Sequence, residues 1–147
     1  SKLLMVGDGP ERVKTEELVR QLGLNEKVIF LGNSSEVTKI LCYSDIFLLP
    51  SETESFGLAA LEAMAANTPV ISTNTGGLPE VNIHGETGYL SDLGAVDDMA
   101  KNAISILKDD SILLEFKKKA KAHTKQFALE NILPVYEEIY KSCYINV

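Results

Sequence analysis

Short apolar segments alternate with helical ones along this chain, and that alternation constrains the fold more than any other feature. Lys2–Val6 is closed by Gly7, Lys27–Leu31 by Gly32 and Asp45–Leu49 by Pro50; Pro69–Ser72 is a fourth such run. Each is too short for a stable helix and lacks polar alternation, which is how strands buried on both faces read. Glu11–Leu24 places Val13, Leu18, Val19 and Leu22 among charges, with Gly23 near its end, and reads as a helix. Ser34 or Ser35 can cap a second helix through about Tyr43, and a third runs from Gly57 to about Asn67. A stretch rich in glycine and proline follows from Asn74 to Gly94, with a short strand at Gly88–Leu90. Three helices, near 96–108, 110–126 and 130–143, finish the chain. Strand then helix at this spacing predicts an α/β fold, a parallel sheet with helices on both faces.

Composition narrows the function. The 147 residues, 45% hydrophobic, suit one globular domain. No apolar run approaches the roughly 18 residues of a membrane span. Lys+Arg of 14 against Asp+Glu of 21 gives a net charge of −7, a poor match to nucleic acid. Between Lys39 and Lys101 there is no Lys or Arg at all. Cys42 and Cys143 are too few and too far apart for a zinc framework. Both are expected to be reduced and buried, in a cytoplasmic protein. The lysines at 117, 118, 119, 121 and 125 read as one solvated helix face.

Ligands of open parallel sheets bind beyond the carboxyl ends of the strands. The loop after the first strand carries Gly7 and Gly9, but Arg12 stands where a dinucleotide fingerprint needs its third glycine. The stronger candidate is Pro50-Ser51-Glu52-Thr53-Glu54-Ser55-Phe56-Gly57, which opens directly into a helix. A helix N-terminus offers free N–H groups to an anion, and Gly57 lets a ligand approach the backbone. The bland alternative is a simple cap by Thr53 or Ser55. The helix Leu58–Ala66 has one polar residue, Glu62, so burial nearly all round is expected, with Glu62 in need of partners. A carboxylate about 7.5 Å along the helix from an anion site suits a vicinal diol. Lys101 is the competing partner. His84 lies in a loop and reads as structural.

Glu54-Ser55-Phe56-Gly57-Leu58-x-x-x-Glu62-Ala63-Met64-Ala65 resembles the Glu-x7-Glu motif of retaining glycosyltransferases with the two-lobed B-type fold. Gly7-Asp8-Gly9-Pro10, Val28–Gly32, Pro69-Val70-Ile71, Gly76-Gly77-Leu78-Pro79-Glu80 and Gly85-x-Thr87-Gly88 follow in that family's order. The resemblance implies a Rossmann-like donor-binding lobe over residues 1–147, truncated at its N-terminus. It implies a UDP-sugar donor, UDP-N-acetylglucosamine, with transfer to an acceptor hydroxyl such as that of L-malate and no metal or other cofactor. Glu54 would face the donor sugar as the catalytic carboxylate. Ser55, Phe56, Gly57 and Leu58 would line the sugar and diphosphate, Glu62 would hold the ribose diol, and Ser34 would lie near the base. Gly7 and Gly9 are further candidates for the donor site. A non-catalytic nucleotide- or sugar-binding module is the alternative.

Two departures from the family pattern carry consequences. The family's first strand and its loop, with an Arg and a Lys for the diphosphate, are expected upstream of Ser1, as is the acceptor lobe. The sheet position so exposed is where a second copy can pair. Ala66-Asn67 replaces a family glycine, and Asn tolerates the left-handed turn expected there.

Overall fold

A computed structural model describes residues 1–144 in two compact units, the first Ser1–Lys39 and the second from Ile40 onward. The first is a strand–helix–strand unit: β1 (Leu3–Val6), α1 (Arg12–Gln21) and β2 (Val28–Gly32). β1 and β2 pair in parallel, Leu3 opposite Val28, with an irregularity between Met5 and Val6. Val19 of α1 is buried. The predicted second helix is α2 (Val37–Cys42), shorter than expected; the Ser34 hydroxyl accepts the Glu36 N–H just before it.

The second unit carries β3 (Phe47–Leu49), α3 (Leu58–Ala65), β4 (Val70–Thr73), α4 (Leu78–Val81) and β5 (Gly88–Ser91). Then come α5 (Val96–Leu107), α6 (Asp110–His123), a 3-10 turn over Thr124–Phe127 and α7 (Leu129–Tyr144). β3, β4 and β5 form a parallel sheet in that order. Alternate residues of a strand point to opposite faces, and β4 shows why this sheet needs two covers. Val70 joins Leu41, Ala60, Ala63, Met64, Leu78, Val81 and Ala120 in one core cluster. Its neighbour Ile71 joins Ile106 and Phe116 in another. β3 divides likewise, Phe47 and Leu49 to the first cluster, Leu48 to the second. The expected parallel α/β architecture with helices on both faces is therefore present, with its strands in a two-stranded and a three-stranded ladder.

Three details differ from the sequence reading. The short helix α4 stands within the stretch read as irregular, because Pro79 at its start fixes a helical φ and needs no N–H partner there. α3 is buried on one face only. Cys42 and Cys143 are free and exposed, not buried. Cys42 closes α2 next to buried Leu41 but is itself exposed, and Cys143 lies on α7, whose residues from Leu133 to Cys143 are all exposed. Asn67 adopts φ 69°, as the expected turn requires, and is the one non-glycine with positive φ among the described residues. Of the lysine-rich face, Lys117 pairs with Asp45 at 3.2 Å and Lys119 with Glu115, while Lys118, Lys121 and Lys125 are exposed.

β5 is tied to β4 by a buried side chain as well as by its ladder. The Asn82 amide nitrogen lies 3.1 Å from the Val70 carbonyl, 3.0 Å from Ser72 Oγ and 3.1 Å from the Tyr89 carbonyl. Its Oδ1 accepts from the Thr87 hydroxyl at 3.0 Å. Gly88 is obligatory beside it, since a Cβ there would fall 1.7 Å from the Val70 oxygen. His84 Nδ1 accepts the Leu90 N–H at 3.1 Å, the structural role expected of it. Removing a fully buried amide strands its partners without water, at about 1–3 kcal/mol for each buried group left unpaired. Asn82→Ala is expected to lower unfolding free energy by at least about 2 kcal/mol in urea titration; an unchanged midpoint would contradict this account of β5.

Candidate functional site

β3 and β4 run parallel, so the loops after them leave from the same end of the sheet. Those loops are 50–57 and 74–77, and they are joined to each other. The Thr73 hydroxyl donates to the Ser51 carbonyl at 2.6 Å, and the Thr75 hydroxyl donates to the Glu52 carbonyl at 3.3 Å. The Gly77 N–H points at the Glu54 carbonyl at 3.4 Å. Phe56 packs edge-on against Phe127, ring centres 6.0 Å apart, which anchors the far side of the loop to the turn before α7. Gly57 ends the loop at φ 100°, a left-handed conformation that admits glycine at little cost and turns the chain into α3.

The start of α3 is open. The N–H groups of Leu58, Ala59 and Ala60 have no acceptor among the described residues, and no side chain caps the helix. Neither Thr53 nor Ser55 acts as the cap that the simplest reading would need. Instead the half-buried Glu54 carboxylate accepts the Gly57 N–H at 3.2 Å, one residue ahead of the helix. Such free N–H groups, with the partial positive charge of a helix N-terminus, attract an anion.

Glu62 is not buried, which corrects the sequence reading. α3 buries Ala60, Ala63 and Met64 against the sheet, and leaves Leu58 (66% exposed), Ala59, Glu62 and Ala65 on its open side. Alanines make the helix look apolar all round, yet the core meets one side of it, Ala60, Ala63 and Met64 with half-buried Leu61 beside them. The Glu62 carboxylate forms no hydrogen bond or ion pair among the described residues, with Lys101 or any other cation. It follows Leu58 by four residues and Ala59 by three, so it shares their face about 6 Å along the axis. Glu54, Ser55, Phe56, Gly57, Leu58 and Glu62 are thus one contiguous loop and helix face.

Gly7, Gly9 and Ser34 belong to the first unit. Gly7, at φ 113°, and Gly9 border an open cleft of about 290 Å³ with Asp8, Arg12 and Phe30. Arg12, passed over in the sequence as a failed fingerprint position, holds that turn. Its guanidinium bonds Glu16 at 2.9 Å and Asp8 at 3.1 Å, and Asp8 in turn accepts the Gly9 N–H at 2.8 Å. Those two carboxylates raise the Arg12 pKa, the Glu16 hydrogen bond contributing most. The other residues missed from sequence are Thr73, Thr75 and Phe127, for which only a fold gives a signal.

The chain matches the family of glycosyl transferases group 1 over residues 1–123. The chain belongs to that family. It is 45% identical over 141 residues to N-acetyl-alpha-D-glucosaminyl L-malate synthase of Bacillus anthracis, covering 95% of this chain and 37% of that protein. It is 34% identical over 144 residues to 2-deoxystreptamine N-acetyl-D-glucosaminyltransferase of Niallia circulans, covering 96% and 37%. Among solved structures, Anabaena HepE in complex with UDP superposes with a TM-score of 0.87 at 26% identity, over 96% of this chain and 41% of that one. The chain therefore spans little more than a third of the length of the curated relatives it matches.

An exposed carboxylate without partners contributes little to folding. Glu62→Ala is expected to shift unfolding free energy by no more than about 0.5 kcal/mol. A larger loss in a denaturant titration would show that Glu62 is structural.

Proposed function

We propose that residues 1–147 are the donor-binding lobe of a retaining hexosyltransferase that uses UDP-N-acetylglucosamine. The observation that carries the reading is the uncapped start of α3, three free N–H groups beside two carboxylates with separate placements. The N–H groups receive the diphosphate, Glu62 accepts the two ribose hydroxyls, and Glu54 faces the sugar from the loop. The 45% identical relative, an N-acetyl-alpha-D-glucosaminyl L-malate synthase, supports L-malate as the acceptor. The rest of the chain would supply an acceptor lobe and a first strand whose Arg and Lys complete the diphosphate site, since residues 40–100 contain neither. The free, separated thiols of Cys42 and Cys143 suit a reaction in the cytoplasm.

In the reaction, the acceptor hydroxyl attacks the anomeric carbon as the bond to the β-phosphate oxygen breaks. The hydroxyl proton passes to that leaving oxygen, on the same face of the sugar, and UDP departs. Charge grows on the diphosphate as the bond breaks, so N–H groups fixed beforehand at α3 stabilise the transition state more than the ground state. No step needs a metal, and activity should persist in excess EDTA.

Two substitutions in the full-length protein separate the carboxylates. Glu62→Ala loses charged hydrogen bonds of about 1.5–3 kcal/mol each, so UDP affinity should fall by about 10-fold or more. Glu54→Gln should lower kcat and leave UDP affinity near wild type. Calorimetry showing unchanged UDP binding in Glu62→Ala, or wild-type kcat in Glu54→Gln, would remove that residue from its role.

A further inference from the structure

We propose that the Gly76–Gly77 turn is the positioning element of the 51–57 loop, setting where the free N–H groups of α3 point. The role in turnover rests on the donor-site reading above; the contact geometry does not. Gly76, at φ 53°, lies so close to the loop that a Cβ would sit 1.6 Å from the Glu54 carbonyl oxygen. Gly77 is the more telling residue. Its φ of −80° and ψ of −3° are open to any amino acid, so conformation does not demand glycine there. Space does: a Cβ would lie 2.7 Å from the Ser55 oxygen and 2.8 Å from Phe56 Cα. Both are backbone atoms, which cannot swing aside as a side-chain tip can.

The neighbours of Gly77 extend the same contact. Thr73 and Thr75 hold the Ser51 and Glu52 carbonyls, and the buried Leu78 side chain would touch a Cβ on Gly57 at 2.9 Å. Residues 73–78 therefore meet the backbone of the loop from Ser51 to Gly57, and leave the side chains of Glu52, Thr53 and Ser55 exposed. A loop held by its backbone keeps its side chains for a ligand. An ordinary carbon–carbon contact is about 3.5–4.0 Å, so a methyl at position 77 must displace the loop by roughly 1 Å. Misplacement on that scale costs on the order of 10²-fold in rate.

The test uses the full-length protein with UDP-N-acetylglucosamine and L-malate. Gly77→Ala is compared with Ile106→Val, a core change in the cluster on the other face of the sheet. Gly77→Ala should lower kcat/KM by about 10- to 100-fold and speed amide hydrogen exchange across 51–58, with β4 and α5 unchanged. Ile106→Val should do neither. If Gly77→Ala does not fold, Thr73→Val, which removes the donor to Ser51, should show the same two effects and Thr73→Ser should restore both. Wild-type exchange across 51–58 in Gly77→Ala, or in Thr73→Val, would overturn the proposal. So would a kcat/KM equal to that of Ile106→Val. A wild-type protein inactive with this donor would overturn the donor reading instead, and exchange alone would then judge the turn.

Discussion

The burial of β4 on both faces is the constraint from which the candidate site follows. Val70 and Ile71 are adjacent, fully buried and in different core clusters, so helices must cover the sheet twice. Parallel pairing with β3 then brings the loops after both strands out at one end. There the 51–57 loop meets the 73–78 segment, backbone against backbone, at a distance only glycine permits. α3 starts from that junction with its first N–H groups open, because the chain ahead of it is held by its neighbour and not by a cap of its own.

Electrostatics divides the labour within the site. The stretch from residue 40 to 100 has no Lys or Arg, so the positive end of the α3 dipole stands there without a Lys or Arg from these residues beside it. The two glutamates of the motif are placed differently toward that dipole. Glu54 binds the Gly57 N–H, and Glu62 stands off along the open face of α3. Under the proposed function the open N–H groups would serve the phosphates, and the two carboxylates the hydroxyls, of a nucleotide sugar. In the reaction proposed, fixed dipoles of this kind would not need to reorganise as charge moves onto the leaving group.

Much of this was legible in the sequence, for identifiable reasons. The strands were visible because short apolar runs ended at Gly7, Gly32 and Pro50, and the left-handed turn at Asn67 because few other residues fit it. The loop and helix of the site were visible as a motif. Burial was less legible. Alanine is apolar but small, so Ala59 and Ala65 can face solvent at little cost, and a helix of alanines hides which side is the core. That is why Glu62 read as buried. Cys42 and Cys143 misled for a related reason: composition gives a residue's preference, and only packing gives its side of the helix. Contacts between segments far apart in sequence, such as Thr73 with Ser51 and Phe56 with Phe127, had no local signature.

The central claim is that the open start of α3 receives a diphosphate while Glu62 holds the ribose. A crystal structure of the full-length protein with UDP tests it most directly. The account predicts phosphate oxygens within about 3 Å of the Leu58 and Ala59 amide nitrogens, and both ribose hydroxyls on the Glu62 carboxylate. UDP bound with its phosphates away from those amides, or its ribose away from Glu62, would contradict it.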